Sequence, residues 1–498
     1  MGIAAAVAIV FWIHSRQPLY HTDLWGHLAY GRLIWQTGAI PETEPFMPLA
    51  RGVTLVDTAW LAQIAGYLAI SQGGPPAIQM LHALSIAVCF AALARWLYVQ
   101  TTSVVFTLAG MALFEALNWF QFRVVRPQMA GLACCAALLT VLTARRWRPV
   151  YWLAIPVTLA LWANLHGSFV IGLGFLGTAC LGRIIDVFRR TGHIMAPIHD
   201  RHSLRLLFAA ALAAAAVLLN PYGPKLYAEV LAFSRHPNLD RLLEWQALSL
   251  RSVQGQIAAG VAAALVVVFP FSRRRVPAGE VLAVLGLGVA TFWSTRTLVW
   301  WAPVATSCLV LNAHDAWRRL RPVQERSPTS HLSGSWRVVA AGLALLAFAT
   351  TPFGLRLFAG RDEDLRSSVS AQTPVAATDW LVAHPSTGQL FNTYEWGDFL
   401  VWAGPPSLPV FVTSQAHLVP REVWEDYVTV ISVAAGWEQI LERYRVERVV
   451  VDKFKRGALI ARLRTSAEWE IVFEDPVAVV FKRRDGLQLK LRAGERGA

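Results

Sequence analysis

Residues 20–46 read YHTDLWGHLAYGRLIWQTGAIPETEPF. Charged groups and imidazoles (His21, Asp23, His27, Arg32, Glu42, Glu44) are interleaved here with Trp25, Tyr30 and Trp35. Such a mixture suits neither a bilayer core nor a free linker. It follows directly on the first apolar segment, Gly2 to Ile13, and so reads as a polar site held at a membrane surface. The rest of the chain then reads as a frame that holds this loop, or as a lid that covers it.

Composition supports the frame. A chain of 498 residues with 55% hydrophobic and 15% charged residues and a mean hydropathy of +0.43 is too apolar for a soluble protein and implies a multi-spanning membrane protein. The first segment lacks a basic n-region and a small-residue cleavage site, so it is expected to be a retained transmembrane helix. A net charge of +13 would suggest nucleic acid in a soluble domain, but the arginines cluster in short loops between apolar runs. Topogenesis and membrane lipid account for that pattern, and no nucleic-acid partner is expected. All five cysteines fall in apolar runs, leaving no disulfide framework and no CxxC metal site. The 21 tryptophans fit interfacial belts, although Trp also stacks on sugar rings.

Candidate spans are residues 1–14, 76–98, 103–120, 127–144, 150–164, 168–182, 205–219, 255–270, 277–293, 298–312 and 336–352. Residues 57–72 could add another, which would reverse the orientation of all that follows. If they instead form a juxtamembrane helix, the arginine clusters at 145–148, 183–205, 273–275 and 318–321 all fall inside, as the positive-inside rule requires. The expected protein is thus a polytopic α-helical membrane protein of about 11 transmembrane helices. Residues 1–352 form its membrane domain, with a first outer loop at 15–75. The N-terminus lies inside and a C-terminal extracytoplasmic α/β domain, 353–498, lies outside. In that domain Gln389 to Phe391, Val410 to Val412, Val449 to Val451 and Val477 to Phe481 look like strands. Arg421 to Ser432, Trp437 to Tyr444 and Arg456 to Thr465 look like helices, and Glu325 to Ser335 reads as an inner linker.

This topology gathers the polar motifs on the outer face: the opening stretch, VVRPQ (124–128), NLHGSF (164–169), NPYG (220–223) and the turn holding Arg296. Asp23 can act as a general base toward an acceptor hydroxyl or help hold a divalent cation, or it can simply cap the helix that starts at Leu24. His27 lies one helical turn further on the same face, with Tyr30 and Arg32 beyond it. Glu44, in a Pro-bounded turn, is a candidate second carboxylate, and a metal site would draw on His21, Asp23 and Glu44. Asn164 and His166 are polar groups at the end of a span, where they are either functional or self-satisfied in a hairpin turn. Asn220 and Tyr222 sit in a common turn signal. Arg296 is the only cation in its outer turn, where a guanidinium can grip a phosphate or snorkel to lipid headgroups. Arg123 and Arg126, before Gln128, offer the same choice.

These residues also carry a resemblance. The pattern D-L-W-x-H-L-x-x-G-R-x-I-W after a first span, followed by W-L-x-Q, R-P-Q, W-x-N-x-H-G-S-F, N-P-Y-G and a late outer Arg, resembles bacterial membrane proteins of the GT-C glycosyltransferase superfamily. Within it, the RgtA/B/C/D-like, mannosyltransferase-related group is the most similar, and N-T-Y-E-W-G-D-F-L-V-W, P-V-F-V-T and E-D-Y-V-T-V resemble its outer domain. The resemblance implies a bacterial cytoplasmic-membrane enzyme that transfers sugar from a polyprenyl-phosphate-linked donor to a lipid, glycan or protein acceptor. It implies Asp23 as the acidic residue of the first outer loop and Arg296 as a contact for the donor phosphate. His27 and Glu44 would join Asp23 in catalysis, and Trp25, Tyr30, Arg32, Arg126, Gln128, Asn164, His166, Asn220 and Tyr222 would bind substrate. Two positions depart from the pattern: His21 stands for the first acid of D-x-D, and Gly26 for the second Trp of W-W-H. A non-catalytic protein of the same fold that binds lipid-linked glycans is the alternative. A transporter fits less well, because the span centres hold few ionisable residues.

Overall fold

The computed structural model describes residues 1–320, 335–361, 364–386 and 388–484. Except for Ser335, the expected inner linker lies outside the described residues. In chain order the helices are α1 (Gly2–His14), α2 (Leu24–Thr37), α3 (Trp60–Thr101), α4 (Val104–Phe122), α5 (Gln128–Leu142), α6 (Tyr151–Leu165), α7 (Phe169–Thr191), α8 (Ala196–His199), α9 (Arg201–Val217), α10 (Lys225–Phe233), α11 (Val253–Val268), α12 (Ala278–Trp293), α13 (Leu298–Leu320), α14 (Ser335–Ala349) and α15 (Pro352–Ala359). Six more follow: α16 (Leu365–Ser368), α17 (Val375–Ala383), α18 (Tyr394–Ala403), α19 (Arg421–Ile431), α20 (Trp437–Arg443) and α21 (Gly457–Thr465). The strands are β1 (Gln389–Asn392), β2 (Val446–Asp452), β3 (Trp469–Glu474) and β4 (Ala478–Arg483).

Each apolar stretch expected to span coincides with a helix or an arm of one. By length and composition, α3, α4, α7 and the run Val253–Phe271 suffice to cross a membrane, and the pair Val338–Ala349 and Pro352–Ala359, bent by 84°, would make a fifth. Helices α1, α5, α6 and α12 are apolar but shorter. Helix α3 is broken at Gly74 (φ 66°, ψ −171°), a conformation in the left-handed half of the map, and Pro75 and Pro76 follow. The 57–72 stretch therefore ends as a separate helical arm before the 76–98 segment begins.

The chain forms two compact units that do not follow chain order. The first contains residues 1–17, 73–230 and 240–363; the second contains 18–72, 231–239 and the residues from 364 onward. The first unit is a helix bundle in which α6 packs on α9, α7 on α12, α4 on α13 and α1 on α14. Its helices leave large apolar side chains uncovered, among them Leu207, Phe208, Val266, Val289 and Leu345, a surface suited to lipid.

Side-chain contacts show which connections share an end of this bundle. At one end Arg126, Glu244 and Arg296 meet, and Asn164 Nδ2 donates to Leu219 O at 2.9 Å. At the other, Arg183 binds Asp200, the Ala278 N–H donates to Asp186, and the Arg273 N–H donates to Asp315. Two sets of connections thus gather at the two ends of the bundle.

The second unit is built around a four-stranded sheet of order β1-β2-β4-β3, parallel between β1 and β2 and antiparallel elsewhere. Val449, Val450 and Val451 are fully buried, as a central strand covered on both faces requires. The expected strand at 410–412 reduces to a single bridge, Leu390 to Val410. There the Asn392 side chain replaces the ladder, accepting from Phe411 N at 2.9 Å and donating to Val412 O at 2.8 Å. Strand β3 was not expected from the sequence: three of its six residues are Trp or Glu, and its apolar run is just Ile471, Val472 and Phe473.

Candidate active site

The opening stretch belongs to the second unit, where α2 packs on α18. Asp23 is the residue before α2, with backbone already helical (φ −47°, ψ −21°), and its side chain makes no capping hydrogen bond. The capping reading therefore does not hold in this geometry. His27 follows one turn later, its N–H donating to Asp23 O at 3.0 Å. Gln63 Nε2 donates both to His27 Nδ1 at 3.1 Å and to Asp57 Oδ1 at 3.0 Å, so His27 carries its proton on Nε2. Asp57 also accepts from Ala59 N at 2.9 Å; burial, only partly offset by these bonds, raises its pKa to about 6.

The carboxylate most closely joined to this helix was not flagged by sequence reasoning. Asp398, on α18, is 1% exposed. Its Oδ2 accepts from Ser414 N at 2.9 Å. Its Oδ1 lies 2.0 Å from where a Cβ on Gly26 would be, so position 26 must be glycine here to admit the carboxyl. Burial raises the Asp398 pKa to about 7 against the pull of the Ser414 bonds, with Asp23 and Glu44 adding repulsion. The available signal was an Asp in the middle of an apolar helical run, E-W-G-D-F-L-V-W.

Other predicted site residues of this unit are committed to packing. Glu44, 4% exposed, accepts the Tyr30 hydroxyl and the N–H groups of Phe46 (2.7 Å) and Met47 (3.0 Å), so its carboxylate holds the loop together. Trp25 is fully buried, donates to Tyr20 O at 2.8 Å and packs edge-on against Phe399, leaving no face for a sugar. Arg32 lies 4.6 Å over Trp402 and donates to its carbonyl at 3.2 Å, tying α2 to α18. His21 is buried near Trp396; desolvation and then Lys455 lower its pKa to about 4, so it is neutral at pH 7. Among the described residues no three His, Cys, Asp or Glu side chains are arranged to share a metal ion. The His21, Asp23 and Glu44 set therefore does not fit a divalent cation in this conformation.

The first unit holds the arginines. Arg126 Nη1 donates to Glu244 Oε2 at 2.5 Å and Arg296 Nη1 to Oε1 at 2.8 Å, so each carboxylate oxygen takes one guanidinium. Arg296 also lies 4.9 Å over Trp245. Its turn is fastened by Thr295 N donating to Gln246 O at 3.0 Å. Burial would raise the Glu244 pKa, but Arg126 and Arg296, the Arg126 hydrogen bond and His166 outweigh it and hold the value at about 2. Glu244 was missed because it sits in a long loop with no motif around it.

The remaining predicted contacts serve the turns. Asn164 Nδ2 also donates to Ala160 O, and Asn220 closes its own turn, accepting from Tyr222 N at 2.7 Å and donating to Gly223 O. His166 Nδ1 is bonded to Ser168, which also receives the Trp162 indole N–H. Gln128 is buried at the start of α5.

No family model matches the sequence, and no curated protein does either. Solved structures do match. The apo oligosaccharyltransferase of Archaeoglobus fulgidus aligns with 91% of this chain and 69% of its own, at 12% identity and a TM-score of 0.54. The same protein tethered to an acceptor peptide with the NVT sequon aligns over 97% and 74%, at 11% identity and a TM-score of 0.51. The chain shares the fold of these oligosaccharyltransferase structures. Cupriavidus metallidurans ArnT bound to undecaprenyl phosphate aligns over 96% and 97%, at 15% identity and a TM-score of 0.48. With its apolar helices and sheet unit, the chain is a helical membrane protein carrying a C-terminal sheet domain.

Proposed function

We propose that this protein is a GT-C glycosyltransferase of the bacterial cytoplasmic membrane. It takes sugar from a polyprenyl-phosphate donor and passes it to a lipid, glycan or protein acceptor at the outer face, with its N-terminus inside and the sheet domain outside. Asp23 accepts the proton of the acceptor hydroxyl as that oxygen bonds to the anomeric carbon. The bond from that carbon to the phosphate oxygen breaks, and its electron pair leaves with the phosphate, which Arg126 and Arg296 neutralise. His27, fixed by Gln63, orients the acceptor.

The observation that carries this reading is the convergence of Arg126 and Arg296, from different connections, on one carboxylate. Two guanidiniums brought together from different connections suit a leaving group that becomes more negative as it departs. The fold shared with the Archaeoglobus oligosaccharyltransferase agrees with such chemistry.

The test compares glycolipid and surface-polysaccharide profiles in cells carrying the wild-type protein, a deletion, Asp23→Asn or Arg296→Ala. Loss of the same species in all three altered strains, with both variants present at normal level in the membrane, is expected. A deletion phenotype that both substitutions rescue would instead favour a protein that binds or assembles lipid-linked glycans.

A further inference from the structure

The two arginines are not waiting empty. Glu244 bridges them, one oxygen to each, from the short 3-10 turn Leu243–Trp245. That turn is fastened to the Arg296 turn through Thr295 N and Oγ1, which both donate to Gln246 O, at 3.0 and 3.1 Å. His166 acts on the same carboxylate through its charge. About a third of the Glu244 side chain (32%) and a quarter of each arginine's (26%) remain accessible, so the trio is open to solvent or ligand on one side. A carboxylate held in this way reproduces what two oxygens of a phosphate would do: one acceptor for each guanidinium.

We propose that Glu244 is a resident counter-anion, displaced from Arg126 and Arg296 when a phosphate-ester headgroup binds and returning to them as the phosphate product leaves. This rests on the phosphate-gripping role given above to the two arginines. Displacing Glu244 frees one N–H donor on each arginine for the phosphate oxygens as a phosphodiester turns into a phosphomonoester. A charged side chain that competes for the same donors weakens ground-state and product binding without removing the donors from the transition state.

The experiment measures binding of undecaprenyl phosphate, and separately of inorganic phosphate, to the full chain in detergent. Wild type is compared with Glu244→Gln, Glu244→Asp, Arg126→Ala and Arg296→Ala. Glu244→Gln keeps the shape but not the charge, so lipid phosphate should bind roughly tenfold tighter and product inhibition should deepen. Glu244→Asp, charged but one methylene shorter, can bridge both arginines less well and should fall between; it also serves if Glu244→Gln does not fold. Weaker or unchanged lipid binding in both glutamate variants, while the arginine variants lose binding, overturns the displacement. Unchanged binding in the arginine variants removes the phosphate-gripping role itself. Inorganic phosphate binding as tightly as the lipid would show that a free anion, not a lipid headgroup, is the ligand.

Discussion

The arginines at the two ends of the helix bundle keep different company. At one end two of them have an acid of their own: Arg183 forks onto Asp200 at 2.9 and 2.7 Å, and Arg274 onto Glu280 at 2.8 and 2.6 Å. Those pairs are bidentate, and each closes a single connection, α7 to α9 and α11 to α12. At the other end two arginines share Glu244 through one bond each. The difference lies in the sharing. A forked pair gives both oxygens of one acid to one guanidinium, whereas Glu244 gives one oxygen to each of two, so the sharing there is unbalanced.

The second unit gathers carboxyl groups instead. Asp398 and Glu44 are held by backbone N–H groups and the Tyr30 hydroxyl, and Asp23 and Glu44 both act on Asp398 through their charge. Burial, with added repulsion from Asp23 and Glu44, makes Asp398 keep its proton up to about pH 7.

Arginine substitutions should have the largest effect. Arg296→Ala should lower sugar transfer about 100-fold, the size expected for losing one charged donor to a departing oxyanion. If Arg274→Ala lowered transfer as much, the contrast between the ends would collapse. Asp23→Asn should act on a similar scale, about 100-fold or more, through the proton-transfer step.

A smaller effect concerns pH. The folded chain keeps the Asp398 proton to about 7, whereas the unfolded chain gives it up near 3.8. Its contribution to stability is thus full below about pH 4 and is lost as pH rises toward 7, with Asp57 acting in the same direction up to about 6. Asp398→Asn should flatten this decline in a melting series across that range; a variant curve parallel to wild type would show that Asp398 is not the protonated group. Gly26→Ala should destabilise the second unit by roughly 2 kcal/mol, because the new methyl must push the Asp398 carboxyl aside. Arg274→Ala should shift melting by less still, at about 1 kcal/mol for a partly exposed pair, and leave transfer unchanged.

Much of the bundle was legible because apolar runs of helical length, separated by arginine-rich or polar connections, leave few other choices. Asp23, His27 and Arg296 could be picked out as charges set among apolar residues. The roles of Glu44, Trp25 and Arg32 could not, since a carboxylate saturated by a local turn and a catalytic one look alike in sequence. Asp398 and Glu244 were missed for a different reason. Each acquires its meaning from a partner far along the chain, Gly26 for one and Arg126 with Arg296 for the other, and no local pattern encodes that meeting.

The most direct test of the account is the affinity of the full chain in detergent for undecaprenyl phosphate in two double variants. Arg126→Ala with Arg296→Ala should weaken binding about 100-fold or more, while Arg183→Ala with Arg274→Ala should lower the melting temperature and leave affinity within about twofold. Equal losses in both, or none in the first, would contradict the assignment of the unbalanced end to the donor phosphate.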